Sequence, residues 1–403
     1  MTSLLQRGRL SRLLATVLRW AAQPDRQLIE CETAGWSPSK WQLARQIIFM
    51  HGLGPHLHDS LRLEEETTLD EVQRLRQFLA AQLLANRQRI ARMHRELAVI
   101  LSEARRRRVA VMPLKGSLLG LRYYPDPALR PMADLDLLIQ PDQFAALDEA
   151  LVHLGYDRLP PDNLHAQERH YRYLKPDNRA VVSWTEEHPA NPRPVEVHTS
   201  LRRLLWGDLQ IPDLAPSLWD NADETEILGE PVWAPRPEEL LAHLAAHTLD
   251  HMMVSTARGI QLLDLVHVSS SIQKLSPVPQ PSWLYLPLRL AQRAFPQIAL
   301  PADLDDLGDR TDPDLRHWAQ TVALGGSCGL VVDSAPRSHS RWWVHWERWA
   351  ASRWRLRLAY GQRPLLLAAV SHLALMARQL GRRLEGQRTA ETVHPDDKAG
   401  GPA

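Results

Sequence analysis

The residue types with the most chemistry to offer fall in one order along the chain: Lys115-Gly116-Ser117, then Asp134-Leu135-Asp136, then Glu196. Carboxylates at i and i+2 of an extended segment project to the same side, about 7 Å apart. Leu135, Leu137 and Ile139 then point the other way, into a core. Two such carboxylates repel unless a cation lies between them. Hard oxygen donors so placed suit Mg²⁺, which binds through one or two carboxylates plus substrate phosphates. Glu196, flanked by Val195 and Val197, offers a third carboxylate on an adjacent strand, as a two-metal clamp would need. Gly116 and Ser117, closing one strand and opening a short helix, present backbone N–H groups, a hydroxyl and a positive helix end to a phosphate. Lys115 adds a point charge for the same phosphates. Phosphoryl or nucleotidyl transfer requires this pairing of positioning with charge neutralisation. Singly, an acid pair or a Gly-Ser turn means little, and either acid could be a strand-edge charge facing water. Their order along the chain points to a nucleotide–metal site.

Those residues need strands and turns to position them, and the local pattern supplies both. Val109 to Leu114 is a short β-favouring run ending at Lys115, followed by a helical stretch over Leu118 to Tyr124 that closes at Pro125-Asp126-Pro127. Met132 to Ile139 reads as the second strand, Phe144 to Leu154 as a helix ending at Gly155, and Val195 to Thr199 as a further strand. Between them, residues 156–194 are polar and broken, with candidate strands at Tyr171 to Leu174 and Ala180 to Trp184. On either side the pattern is helical. Val72, Leu75, Leu79, Leu83, Ile90, Met93, Leu97 and Leu101 recur at three-and-four spacing with arginines between them. Leu10, Leu13, Leu14, Val17 and Leu18 mark an amphipathic first helix. Leu240, Leu241, Leu244, Ala245 and Leu249 mark a later one, and Ile260, Leu263 and Leu265 the next. The proline-rich Ser276 to Pro301 punctuates the helices, and Trp342 to Leu384 reads as two more, broken near Gly361 to Pro364. The expected fold is α+β: a small mixed-sheet core at 108–235, a helical region at 1–107, a second at 236–385 and a disordered tail at 386–403.

Composition removes several function classes. Over 403 residues, 48 Lys and Arg against 47 Asp and Glu leave a net charge of +1, so no global basic field holds nucleic acid by charge alone. Two cysteines, Cys31 and Cys328, make neither a disulfide framework nor a zinc site, which points to a reducing cytoplasm. The longest apolar run, Leu365 to Val370, falls short of the roughly 20 residues a bilayer requires.

The stretch Pro113 to Ile139, P-L-K-G-S-L-L-G-L-R-Y-Y-P-D-P-A-L-R-P-M-A-D-L-D-L-L-I, closely resembles the signature of the uncharacterised bacterial nucleotidyltransferases of the polymerase-β-like superfamily. The likeness includes Ala44 through Leu57, Val195-Glu196-Val197-His198, the helical Leu241 to His247, Arg258 and Asp264, and it covers roughly residues 40–270. It implies that Asp134 and Asp136 hold divalent metals, Mg²⁺ or Mn²⁺, with Glu196 as a third carboxylate that also helps deprotonate an acceptor hydroxyl. Gly116 and Ser117 would form the phosphate-binding turn, with Lys115 and Arg130 contacting the triphosphate or pyrophosphate. The 16 residues between Ser117 and Asp134 exceed the superfamily's usual spacing, a length typical of this subfamily.

The expected reaction is transfer of a nucleoside monophosphate from a nucleoside triphosphate to an acceptor, by a two-metal mechanism. The near-neutral charge favours a small-molecule or peptide acceptor over duplex nucleic acid. A non-catalytic nucleotide-binding or helical adaptor is the alternative. A third reading places the chain on a membrane surface through Trp342, Trp343, Trp346, Trp349 and Trp354, which alternate with arginines. His198 shares the Glu196 strand face and could touch substrate. His243 and His247, at i and i+4, could ligate metal, but without a third ligand the spacing favours helix packing or a polar lining of the cleft. The run Arg105 to Arg108 reads as cations at a helix C-terminus, with a phosphate or RNA contact as the alternative.

Overall fold

The computed structural model describes residues 4–61, 70–160, 170–183, 187–204, 209–273, 275, 282–297, 300–332, 353–361 and 363–374. Two compact units form, one from residues 1–203 with 211–339 and the other from residues 204–210 with 340–403. The fold is α+β, as its alternation of periodicities requires.

The first unit opens with α1 (Leu4–Ala22), α2 (Arg26–Thr33), α3 (Pro38–Met50), α4 (Gly54–Leu61) and the long α5 (Asp70–Arg106). Leucine and valine at helical spacing bury one face of α1, and every apolar position of the expected stripe on α5 is buried. The helix also buries the polar Asn86, Arg89 and Glu103. The basic run after α5 forms ion pairs, Arg105 with Glu230, Arg106 with Glu103, and Arg107 with Glu103 and Glu149.

Next come β1 (Met112–Leu114), α6 (Gly116–Arg122), β2 (Leu135–Leu138), α7 (Phe144–His153), β3 (Asp157–Arg158), β4 (His170–Leu174) and β5 (Val195–His198). They form one mixed sheet in the order β1-β2-β5-β4-β3, parallel between β2 and β5 and antiparallel elsewhere. β1 and β2 are shorter than their sequence patterns suggest, because side chains and the end of α5 take backbone groups that a longer ladder would have used. Val109 N–H caps the end of α5 at Ala104 O, and Ala110 N–H donates to Gln143 Oε1, so β1 begins only at Met112. The carbonyls of Met132 and Ala133 accept from Arg89, so β2 begins only at Leu135. The expected strand over Ala180 to Trp184 does not form across its described residues, 180–183. There Asn191 Oδ1 accepts from the amides of Val182 and Ser183, and its Nδ2 donates to Ser183 O.

Register then sorts the sheet. Leu114, Asp136, Glu196 and Arg172 are successive cross-strand neighbours, and so are Met112, Leu138, His198 and His170. One sheet face is therefore apolar towards β1, where Met112, Leu114 and Leu138 pack with Leu201, Ala215 and Leu218, and polar towards β4. The alternate residues Leu135, Leu137, Val195, Val197 and Tyr173 are buried.

The remaining helices of this unit are α8 (Ala215–Asp220), α9 (Pro237–Met253), α10 (Gly259–Ser269), α11 (Tyr285–Ala294), α12 (Leu304–Asp309) and α13 (Pro313–Thr321), with a hairpin of Ala222–Ile227 and Glu230–Pro235 after α8. Thus a helix forms inside the proline-rich stretch, with Pro287 within its first turn. In the second unit, the helix Arg353–Tyr360 and a helical stretch at 365–374 lie either side of Gly361 and Pro364. Trp342, Trp343, Trp346, Trp349 and the tail 386–403 lie outside the described residues. Among the described residues no helix is long and apolar enough to cross a membrane.

Candidate active site

The turn after β1 is backbone-strained. Lys115 adopts φ +46° and ψ −127°, a conformation that favours glycine, and its carbonyl accepts from the amides of Leu118 and Leu119 to start α6. Holding a lysine there costs on the order of 1–3 kcal/mol, a strain that concentrates at functional sites. The neighbouring residues lock the turn to β2. Ser117 Oγ accepts from the backbone amide of Asp136 at 3.1 Å. Gly116 is packed so closely that a Cβ would lie 2.5 Å from Arg130 Nη1 and 2.6 Å from Met132 Cβ.

The result aims the Lys115 ammonium at the sheet's carboxylates. Its Nζ lies 2.6 Å from Asp136 Oδ1, and His198 Nε2 lies 2.9 Å from the same oxygen. Burial alone would lower the lysine's pKa, but the charges of Asp136, Glu196 and Asp134 outweigh it and raise the pKa above the ordinary value. Asp136 contacts the ammonium directly, and the charges of Glu196 and Asp134 add to its stabilisation. Asp136 is fully buried, which opposes ionisation, yet Lys115 and His198 hold it well below the usual carboxylate range. Its second oxygen, Oδ2, is buried and has no hydrogen-bond partner. A buried, ionised carboxylate with one free oxygen is a group that a cation would complete.

Glu196 stands beside Asp136 in the parallel β2–β5 register. Its Oε2 lies 3.0 Å from His170 Nε2, an ion-pair distance without the alignment of a hydrogen bond, and its Oε1 lies 4.0 Å from Arg172 Nε. Burial opposes its ionisation, but His170 and Lys115 hold its pKa below the ordinary value. The rings of His170 and His198 stack with centroids 4.7 Å apart and 2° between planes. One donor atom each from His170, Glu196 and His198 falls within 4.8 Å of the others, a grouping with two imidazoles that the three-carboxylate pattern did not include. Asp134 directly precedes β2 and is half-buried, with its charge felt by Lys115, Arg89 and Arg130.

Arg130 occupies a different setting from a solvent-facing phosphate clamp. Its Nε and Nη2 donate to Asp264 Oδ1 and Oδ2 at 3.2 and 2.8 Å, and its Nη1 to Pro131 O at 3.0 Å. Tyr124 O–H donates to Asp264 Oδ1 at 2.7 Å. Arg130 lies against Gly116 and braces the turn.

Behind the site is Arg89, which sequence reading counted only among the arginines between apolar positions. It is fully buried and donates to the carbonyls of Met132, Ala133, His188, Asn191 and Pro192. One side chain thus joins the segments leading into β2 and β5. Burial, as its main influence, lowers its pKa to about 10. The signal was available: Arg89 follows Leu83 and Asn86 at helical spacing on the apolar stripe.

Helix α9 brings His243 and His247 to the same neighbourhood. Both are lowered well below the ordinary histidine value, first by burial and then by cations including Lys115 and Arg203. Both nitrogens of His243 are buried without a hydrogen-bond partner. Arg203 Nη2 lies 3.3 Å from His247 Nδ1. Both are held neutral, His243 fully buried as helix packing would place it and His247 half-buried beside Arg203. A cavity of about 450 Å³ elsewhere, lined by Arg92, Arg95 and Glu96 with Tyr156, Lys175 and Arg193, includes none of these groups.

The family described as uncharacterised nucleotidyltransferase matches residues 37–292, well over half of the chain, and the chain belongs to that family. The match contains every site residue named above. No curated protein and no solved structure matches this chain.

Proposed function

We propose that this member of the uncharacterised nucleotidyltransferase family moves a nucleoside monophosphate from a nucleoside triphosphate to the hydroxyl of a small-molecule or peptide acceptor, releasing pyrophosphate. The observation that supports the reading is the buried Asp136 carboxylate, held on Oδ1 by Lys115 and His198 and left unpartnered at Oδ2, with Glu196 beside it in the sheet register and Asp134 two residues before it. That donor set fits a divalent ion, and Asp134, Asp136 and Glu196 would hold it. Such ions, Mg²⁺ or Mn²⁺, neutralise charge on the transferred phosphoryl group and on the leaving group.

The protein's own residues perform the remaining tasks. Lys115 is a cation already placed beside the carboxylates, positioned to pass from Asp136 to a phosphate oxygen as the site fills. Ser117 and Gly116 fix the turn that delivers it. Arg130, held by Asp264, keeps the turn packed and acts through it. Glu196 accepts the acceptor's proton, with its ionised state favoured by His170 and Lys115.

Incubation with labelled nucleoside triphosphates and Mg²⁺ or Mn²⁺ tests the reading. Label transferred to an acceptor by the wild type and lost in Asp136→Asn supports it; no Asp136-dependent transfer defeats it. The Lys115–Asp136 pair, which satisfies part of the carboxylate without any ligand, favours a second reading as a non-catalytic nucleotide binder. Triphosphate binding that survives the joint change Asp134→Asn, Asp136→Asn, without turnover, would decide for it.

A further inference from the structure

We propose that His170 and His198, with Glu196, form a nitrogen-rich site for a divalent first-row transition ion of the Mn²⁺-to-Zn²⁺ series. The site shares Glu196 with the proposed nucleotidyl-transfer centre but differs from it in ligand chemistry. The proposal rests on that reading only for the shared carboxylate, because ion binding here requires no nucleotide.

Sheet register brings the three together. In the antiparallel β4–β5 pair, His170 is the direct partner of His198, and Glu196 lies two residues before His198 on the same face. No local sequence pattern shows this, since the histidines belong to separate strands with a polar, broken stretch between them. The imidazole planes are parallel within 2° and their centroids 4.7 Å apart, beside a carboxylate 3.0 Å from one ring nitrogen. Donor atoms of all three side chains lie within 4.8 Å of one another, a span an ion could bridge with small side-chain rotations.

Two further observations point to a ligand. His170 Nε2 is buried yet makes no aligned hydrogen bond, although a carboxylate oxygen stands 3.0 Å away. Next to it, Asp136 accepts from His198 through Oδ1 while Oδ2 has no hydrogen-bond partner. The Asp136–His198 contact is the carboxylate–imidazole pairing that orients metal-bound histidines. Unsatisfied buried donors and acceptors are uncommon, and two of them on adjacent, register-paired strand positions mark this as a place for an occupant. Ligand type narrows the choice. Imidazole suits Zn²⁺, Fe²⁺, Ni²⁺ and their neighbours, and two histidines with one carboxylate is a set such ions take with open positions left for other ligands. Mg²⁺ prefers oxygen donors and keeps its waters, so the same three side chains discriminate against it.

The test is metal titration of the full chain, stripped with chelator and without nucleotide, using Co²⁺ as a visible probe. One saturable equivalent with ligand-field absorption is expected, displaced by Zn²⁺ and unmoved by a large excess of Mg²⁺. His198 is buried and hydrogen-bonded to Asp136, so His170 carries the test: its side chain is 37% exposed. His170→Ala should weaken Co²⁺ affinity by at least about tenfold with an unchanged far-UV spectrum. Asp134→Asn should leave the Co²⁺ band in place. The absence of a saturable band overturns the proposal. So does a band that survives His170→Ala and disappears in Asp134→Asn, because the ion would then sit on the carboxylates alone. The two readings fail separately. Mg²⁺-dependent label transfer without a Co²⁺ band removes this site and keeps the proposed function, whereas a His170-dependent band without label transfer does the reverse.

Discussion

Two buried ion pairs flank the same glycine turn and are built to opposite ends. In the Arg130–Asp264 pair, Asp264 Oδ1 accepts from Tyr124 and from Arg130 Nε, and Oδ2 accepts from Arg130 Nη2. In the Lys115–Asp136 pair, both contacts crowd onto Oδ1 while Oδ2 has no hydrogen-bond partner. The cations differ in the same sense. A guanidinium is a rigid fork that keeps its proton, whereas an ammonium is a mobile point charge on a flexible stem. A saturated pair positions its surroundings, and an unsaturated one beside it is available to a ligand. Arg130 braces the turn; Lys115 is delivered by it.

The contrast fails or holds on paired substitutions. Asp264→Asn leaves Arg130 buried without its counter-charge, and breaking such a pair costs about 3–5 kcal/mol of folding stability. Denaturant unfolding should show a loss of that size; a change under about 1 kcal/mol would mean that Asp264 is no brace. Asp136→Asn should cost less stability, because Glu196 and Asp134 still face Lys115, but should lower label transfer at least about a hundredfold, close to 3 kcal/mol of transition-state free energy. If the two substitutions behave alike in both assays, the distinction between positioning and reactive pair is wrong.

How much of this was readable beforehand divides along the same line. The carboxylates, the Lys-Gly-Ser turn and their flanking strands were legible, because i and i+2 alternation and a strand-to-helix turn are local patterns. The helical regions were legible for the same reason. Partners far apart in sequence were not. Arg130 reads as a phosphate contact, and its pairing with Asp264, 134 residues on, has no local signal. Arg89 reads as one of the arginines between apolar positions until five carbonyls from two segments are seen to surround it. His170 joins Glu196 only through a register that no spacing encodes. The strand ends were misjudged because side chains, Arg89 and Gln143 among them, took backbone groups that a β pattern assigns to the ladder.

A third substitution tests the joint between the pairs. At Gly116, a methyl group would meet Arg130 Nη1 at 2.5 Å and Met132 Cβ at 2.6 Å. The guanidinium is fixed by Asp264 and the Met132 Cβ is tied to the backbone, so neither can retreat freely. Gly116→Ala should cost about 1–3 kcal/mol in denaturant unfolding. It should also reduce label transfer more than that stability loss alone explains, because the displaced turn carries Lys115. Wild-type transfer in a folded Gly116→Ala protein would show that the turn's packing does not position the lysine.

The smallest effect per step is a pH dependence, and it separates the two sides again. His267 packs against Tyr124 beside the Arg130–Asp264 pair, with ring centroids 4.2 Å apart, and burial lowers its pKa to about 4. His243, whose charge state is depressed by burial and then by Arg203 and Lys115, sits on the Lys115–Asp136 side. Each is neutral in the folded protein, whereas the unfolded chain takes up a proton at about 6.5. The stability each contributes is complete above that value. It is lost as the pH falls below it, and for His267 the loss ends near 4. Between those limits each group contributes a slope of up to about 1.4 kcal/mol per pH unit. Asp136, ionised well below the ordinary carboxylate range, adds nothing to the slope across this window. Unfolding free energies measured from pH 7 to pH 5 should therefore decline. His267→Phe and His243→Phe should each flatten the decline by about one proton, and only His243→Phe should also alter label transfer. A slope unchanged in both variants would show that neither imidazole is held neutral. Equal loss of transfer in both would erase the difference between the saturated pair and the reactive one.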